Sequence, residues 1–397
     1  MSVTFPRGFR ASGVTAGMKP SGRPDLGLLV ADGSASAAGL FTTNVFAAAP
    51  VGLSRRRLAG GSARAVVVNS GQANAGTGPR GDRDAETATA AVADALRVDP
   101  GDVLAGSTGV IGEPLHLDEF LAAIPSLIET LSPEGGEAFA GAITTTDTVR
   151  KQAAAARGAY RVGGCAKGVG MIAPDLRLAT MLAFVTTDAP VAQEPLKRLA
   201  AEVLEPAFES LSVDGCTSTN NTVLLLAGGA AGGPPGEPGT PAGDHLARAV
   251  EEVASSLVRQ LADDAEGATH VVVVEVTGAR TEGDARVVAR AIADSLLVKT
   301  ALFGGDPNPG RILQAIGSSG AAFSPGEVEV FLAGVPVIAD GQIPASFADG
   351  GVDLARKALA ERDVTIAVSL GEGPGMSRAL GVDLSYDYVK INAEYTT

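Results

Sequence analysis

Tryptophan is absent from this 397-residue chain, and aromatic residues of all kinds make up only 4% of it. A core, if there is one, must be built from Ala, Val and Leu. Cysteine occurs twice, as Cys165 and Cys216, without metal-type spacing, and in a reducing compartment no disulfide is expected. Histidine occurs three times, as His116, His245 and His270, which leaves little material for a histidine triad or a zinc site. No metal is expected, and if the chain is a hydrolase or transferase its base should not be histidine. Positive charge is also short. Against 45 acidic residues there are 31 basic ones, a net charge of −14, which argues against a nucleic-acid footprint and against an anionic membrane surface. No apolar run of about 18 residues is available to span a bilayer. The start, Met1-Ser-Val-Thr-Phe-Pro-Arg, lacks an apolar signal core, so the expected location is the cytoplasm.

What is present is enough for a large globular protein. Apolar residues make up 45% of the chain, and the length favours two domains or lobes. Periodicity predicts short strands at 27–31, 38–43 and 50–53, and a buried strand at 65–69 running into a polar loop, 70–78. An Ala-rich helix is expected at 84–96. A strand at 103–105 then enters a Gly106–Gly112 loop, and a helix spans 117–131. Later come a helix at 246–264, a strong strand at 271–278, and a last strand from Tyr386 to the end. Helices and strands alternate, which predicts α/β or α+β layers. The Gly/Pro tract at 228–243 reads as a surface insertion.

The stretch that organises the chain runs from Cys165 to Asp188. Its first half is a Gly-rich loop with one cation, Lys167; its second half, 180–185, is an apolar run of strand type. Ala179-Thr180 sits at the junction. A backbone break before Thr180 would leave a threonine with a hydroxyl nucleophile and a free α-amine as its base. The other reading is a loop entering a core strand. In Ser107-Thr108-Gly109 a hydroxyl and an unhindered N–H are the two donors an oxyanion hole needs, although such a loop can be only a turn. Thr144-Thr145-Thr146-Asp147-Thr148 offers hydroxyls and a carboxylate, suited to a strand edge that binds a polar ligand or to a plain strand end. Asp306-Pro-Asn-Pro-Gly-Arg311 reads as a rigid turn opening a helix whose N-terminus could hold an anion.

These residues, taken in order, resemble the ornithine acetyltransferase family of arginine biosynthesis. The resemblance runs from Pro6-Arg-Gly-Phe-Arg-Ala and Lys19-Pro-Ser-Gly to Asn392-Ala-Glu-Tyr-Thr-Thr397. Between them lie Asn69-Ser-Gly, Ser107-Thr-Gly-Val-Ile-Gly, Thr145-Thr-Asp-Thr, Lys167-Gly-Val-Gly-Met-Ile-Ala-Pro, Ala179-Thr-Met-Leu-Ala-Phe, Val213-Asp-Gly, Glu266-Gly-Ala-Thr, Asp306-Pro-Asn and Gly310-Arg. Each is weak alone; the ordered set is specific.

The resemblance implies a layered α/β sandwich of the N-terminal-nucleophile type that cuts itself between Ala179 and Thr180, giving chains 1–179 and 180–397. It makes Thr180 the nucleophile and gives Thr108 and Gly109 the oxyanion hole. Thr145, Thr146, Lys167, Thr180, Glu266, Asn392 and Thr397 would hold the amino-acid substrate. The implied reaction is ping-pong transfer of acetyl from N-acetylornithine to glutamate, releasing ornithine, in a heterotetramer of two alpha and two beta chains. No cofactor is implied, and acetyl-CoA stays open as a second acetyl donor. The chain departs from the family pattern by two residues added between Pro174 and Ala179, and at Gln72, Gly76, Cys216, His270 and Pro309. Those departures leave room for a paralogue of a secondary pathway acting on another N-acyl amino acid. A hydrolase with an N-terminal nucleophile and an uncleaved amino-acid-binding protein are the readings from other classes.

Overall fold

The computed structural model describes residues 2–173 and 181–394. The chain divides into two compact units. The first comprises the described residues up to Glu209 together with Cys216–Leu261; the second comprises Ser210–Gly215 together with the described residues from Ala262 onward. Neither boundary falls at the 179/180 junction.

In the first unit, β1 (Phe9–Val14), β2 (Leu26–Phe41), β3 (Ser62–Gln72), β4 (Val103–Val110), β5 (Lys151–Arg157), β6 (Tyr160–Lys167) and β7 (Leu182–Thr187) come in chain order. The short β8 (Leu211–Ser212) belongs to the second unit, and β9 (Thr222–Ala227) returns to the first. The first unit's sheet runs β4-β3-β2-β9-β7-β6-β5, with β1 also paired to β2. Strand β2 carries the change of direction. Its first part pairs with β3, its last part with β9, and the register breaks between Val30 and Ala35. The exposed Asp32-Gly33-Ser34 sits in that irregularity, so the two strands expected at 27–31 and 38–43 are one bent strand.

Because β2 bends, the two halves of the sheet face each other. One apolar core gathers Val66, Val68 and Leu104 from one half with Leu182, Phe184, Leu224 and Leu226 from the other. Phe139 and Phe184 meet edge to face at 5.3 Å. Strand alternation does the sorting: Val66 and Val68 point inward, while Ala65 and Val67 pack outward with Ala88, Val92, Phe120 and Ile124 of helices Gly78–Leu96 and Leu117–Glu129. Opposite, Gly164 of β6 lies against Val253 and Leu257 of helix Pro241–Asp263. The unit is therefore a helix–sheet–sheet–helix sandwich, the layered α/β class expected. Each large aliphatic side chain buried this way contributes about 1.5–3 kcal/mol.

The second unit has a sheet of order β12-β11-β13-β10-β14-β8, formed with β10 (Val271–Gly278), β11 (Glu329–Leu332), β12 (Val335–Ile338), β13 (Asp363–Ser369) and β14 (Gly373–Val382). Val272, Val274 and Val276 of β10 pack with Val288 and Ile292 of helix Glu282–Asp294. Among the described residues no helix is long and apolar enough to cross a membrane.

Four local expectations are corrected. Residues 50–53 lie in helix Ala49–Arg57, where Pro50 occupies the first turn, a place that needs no N–H. Ser70–Gln72 and Ser107–Gly109 are not loops but the ends of β3 and β4, paired in parallel register. The Thr144–Thr148 segment is a loop after helix Gly136–Ala142 rather than a strand edge. Tyr386–Glu394 is a helix, not a strand; the Ser385 hydroxyl accepts the Tyr388 N–H at 3.2 Å, an N-cap bond.

Candidate active site

Strands β3 and β4 deliver the first piece of the site. Their parallel register sets Ser70 opposite Thr108 and Gly71 opposite Gly109. Gly109 has φ +128°, and a Cβ there would lie 2.2 Å from the Gly71 carbonyl, so only glycine fits. Thr108 is fully buried. Ser107 is fixed from two sides: its hydroxyl donates to Asn69 Oδ1 at 2.5 Å, and its carbonyl accepts from Asn220 Nδ2 at 2.8 Å.

The second piece comes from the end of β6. Lys167 is 2% exposed, and its ammonium donates to Thr108 Oγ1 at 3.0 Å. A threonine hydroxyl accepts two bonds and donates one. With Lys167 on the acceptor side, the Thr108 proton remains to be given to a developing oxyanion, and the cation behind it makes it a stronger donor.

The third piece is Met181 and the start of β7. Lys167 pairs with Leu182 across β6 and β7, and Leu182 pairs with Thr222 across β7 and β9. Met181 donates its N–H to Asn221 Oδ1 at 3.1 Å and accepts the Thr222 N–H at 3.2 Å. Gly168, at φ +140°, lies with its would-be Cβ 3.5 Å from Met181 Cα. Residue 181 is thus clamped between the Lys167–Gly168 turn and Asn221. Among the described residues, the Nδ2 of buried Asn221 has no hydrogen-bond partner. Thr180 and Ala179 lie outside the described residues.

Behind Lys167 sits a buried carboxylate. Asp147 Oδ1 accepts from Lys151 Nζ at 2.6 Å and from the Gly168 N–H at 2.8 Å; Oδ2 accepts the Thr145 N–H at 3.1 Å. Burial alone would raise this carboxyl's pKa. The charges of Lys167 and Lys151 and the Gly168 bond outweigh that and hold it at about 2. Thr145 is tied to the cluster through this carboxylate, and Thr146 lies half-buried in the same loop.

Lys19 completes the rim. Its ammonium donates to the carbonyls of Pro24 and Thr144 at 2.8 and 2.6 Å, and its Cγ is the neighbour a Cβ on Gly71 would meet at 3.5 Å. Burial pulls its pKa down to about 8 against the pull of Asp25, and the like charge of Lys167 adds to the fall. Asp25 shapes the turn that carries it, accepting the N–H groups of Ala16, Met18 and Lys19. Gln72 donates to the Met18 carbonyl at 2.9 Å, while its buried Oε1 has no partner among the described residues.

Thus Thr108, Gly109, Thr145 and Lys167 meet in the first unit. Glu266 and Asn392 meet in the second, where Asn392 Nδ2 donates to Glu266 Oε2 at 3.0 Å and to the Tyr388 carbonyl. Thr397 lies outside the described residues. Lys19, Lys151 and Asn221 carry no role in the sequence reading, and Asp147 enters it only as the carboxylate of a segment suited to a polar ligand, although Lys19-Pro-Ser-Gly and Thr145-Thr-Asp-Thr both stand in the matching motifs. His270 is engaged structurally, with Nδ1 2.8 Å from Asp383 Oδ2 and Nε2 2.9 Å from the Leu359 carbonyl. At the helix Pro309–Gly317, the Asn308 side chain accepts the Arg311 N–H, so one of the first-turn donors is already taken. Burial pushes the Cys165 thiol up, away from thiolate chemistry.

Comparison with known proteins adds an end-to-end match. The ArgJ family matches residues 10–397. The arginine biosynthesis bifunctional protein ArgJ of Thermosynechococcus vestitus is 46% identical, covering 100% of this chain and 98% of its own. That of Thermus thermophilus is also 46% identical, covering 100% of both. The solved structure of the corresponding Bacillus halodurans protein is 38% identical with a TM-score of 0.51, covering 53% of this chain and 98% of its own.

Proposed function

The chain belongs to the ArgJ family and is an acyltransferase of arginine biosynthesis, and we propose that it moves acetyl from N-acetylornithine to glutamate through an ester on Thr180. The observation that carries the residue-level reading is the buried Lys167–Thr108 bond. It leaves a polarised hydroxyl, next to Gly109, at a point where the chain emerges one residue after Thr180.

In the first half-reaction the Thr180 hydroxyl attacks the acetyl carbonyl while its α-amine takes the hydroxyl proton. The resulting oxyanion accepts from the Thr108 hydroxyl and the Gly109 N–H. The C–N bond breaks, the proton passes to the leaving amine, and ornithine departs. Glutamate's neutral α-amine then attacks the ester, the same donors hold the second oxyanion, and N-acetylglutamate leaves as Thr180 regains its proton. A free α-amine titrates near ~7.7–8, so it can carry these protons near neutral pH without histidine. Thr145, Thr146, Lys167, Glu266, Asn392 and Thr397 orient the amino acids.

Self-cleavage before Thr180 frees that amine and gives chains 1–179 and 180–397. The half-length match to the Bacillus halodurans chain supports a processed pair. The pieces would stay together, because β6 of one pairs with β7 of the other, and β2 with β9. Two such pairs form the working heterotetramer in the cytoplasm. The name "bifunctional" of the relatives favours acetyl-CoA as a second donor for the same acetyl-enzyme.

The test is direct. Purified protein should split into two chains, the second beginning at Thr180, and should transfer acetyl from N-acetylornithine to glutamate, with acetyl-CoA assayed as the alternative donor. Thr180→Ala should stay intact and inactive. Splitting at the same bond in Thr180→Ala would overturn the nucleophile assignment; acetyl passing to water alone would favour a hydrolase.

A further inference from the structure

We propose that the buried Asp147–Lys151 pair is a positioning device for Lys167, fixing both the place and the charge of the ammonium that backs Thr108. The proposal rests on the acyl-transfer reading above.

Three ionisable side chains share this spot: Asp147 is 5% exposed, Lys151 0% and Lys167 2%. Burying charge costs several kcal/mol per ion unless partners and hydrogen bonds offset it. A lone Lys167 beside Thr108 would therefore tend to shed its proton. Asp147 supplies part of that offset, and its geometry does more than neutralise. One oxygen holds the Gly168 N–H, which sets the backbone immediately after Lys167; the other holds Thr145, which sets the adjoining loop. Lys151, at the start of β5 and 2.6 Å away, holds the carboxylate in place and shares its charge. Among the described residues, Lys19 is a further charged group facing the cluster, with Asp25 behind it. Asp147 and the two buried lysines carry a net charge of +1.

This arrangement predicts opposite effects from its two halves. Asp147→Asn raises the net charge to +2, so Lys167 gives up its proton more readily. Lys151→Met lowers the net charge of the three to zero and removes a like charge from beside Lys167, so Lys167 holds its proton more tightly. Asp147→Asn/Lys151→Met restores +1. The experiment measures kcat/KM for acetyl transfer against pH in the four proteins and, in parallel, follows the side-chain NMR titration of Lys167 in lysine-labelled enzyme. The alkaline limb and the Lys167 titration should move about one pH unit or more toward acid in Asp147→Asn and toward alkali in Lys151→Met. In the double variant both should return near the wild-type position. A purely structural pair would lower rates with limbs unmoved and leave the double variant worst of all; that result, or shifts of the same sign, overturns the proposal. If Asp147→Asn does not fold, the shift in Lys151→Met decides alone. If the wild type transfers no acetyl but the Lys167 titrations still diverge, the electrostatic device stands and the acyl-transfer reading has failed.

Discussion

Thr108→Val is the most informative single perturbation of this site. It keeps the branched shape of a fully buried side chain and removes one hydroxyl. Two losses follow. The oxyanion loses a donor, which in comparable sites costs on the order of a hundred- to a thousandfold in kcat, about 3–4 kcal/mol. Lys167 loses the acceptor 3.0 Å from its ammonium, and a hydrogen bond to a charged group is worth about 1.5–3 kcal/mol of stability. The first loss belongs to the transition state and the second to the folded protein, so they can be measured apart. Rapid-quench mass spectrometry would follow acetylation of the enzyme by N-acetylornithine and then its discharge by glutamate; denaturant melts would give the stability.

Because the oxyanions of both half-reactions would meet the same donors, Thr108→Val should slow them by similar factors. Thr108→Ser, which keeps the hydroxyl, should lie within a few-fold of wild type. Lys167 is argued to act partly through that hydroxyl. Lys167→Met added to Thr108→Val should therefore cost less than the sum of the two single losses. Unchanged turnover in Thr108→Val, or slowing of only one half-reaction, would refute the oxyanion assignment. Strictly additive losses in the double variant would break the link to Lys167.

The sequence reveals most where one periodicity dominates. The Val runs at 66–68 and 271–274 fall in β3 and β10, and the Ala-rich segment after Asp84 becomes the outer helix of the sandwich. Where small residues blur the pattern, it conceals the structure. β5 reads Lys-Gln-Ala-Ala-Ala-Ala-Arg, a composition as suited to a helix as to a strand, and β14 opens Gly-Pro-Gly. The cost at the site is specific. The hairpin of β5 and β6, which pairs Lys151 with Ala166, is what brings Asp147 and Lys151 beside Lys167 and Gly168. Without that hairpin a motif such as Thr145-Thr-Asp-Thr shows a carboxylate but not what it holds. Thr108 and Gly109 were legible because a hydroxyl next to an unhindered N–H has a chemistry of its own. Lys19 and Asn221 were not, because their partners are backbone groups far along the chain: the Thr144 carbonyl and the Met181 N–H.

Gly109→Ala should disrupt the β3–β4 edge, since its φ of +128° and a Cβ 2.2 Å from Gly71 leave no relaxed conformation; the expected result is loss of soluble protein or of transfer activity, and a folded, fully active variant would remove the argument. Glu266→Gln should weaken kcat/KM for N-acetylornithine more than for glutamate, because only the former brings a side-chain cation; equal losses would mean that Glu266 orients the site without reading the side chain. The last prediction concerns Lys299, buried in the second unit, whose ammonium donates to the Val382 carbonyl. Burial pulls its pKa from 10.5 down to about 8, only partly opposed by Asp294, Asp214 and Asp383. Between about pH 8 and 10.5 the unfolded lysine keeps a proton that the folded one has released, so its contribution to stability must rise with pH across that window. The shift corresponds to about 3 kcal/mol. Lys299→Met removes the titration, so the stability of wild type relative to the variant, from denaturant melts at pH 7 and pH 10.5, should increase by that order. A difference independent of pH would show that Lys299 reaches solvent before it gives up its proton.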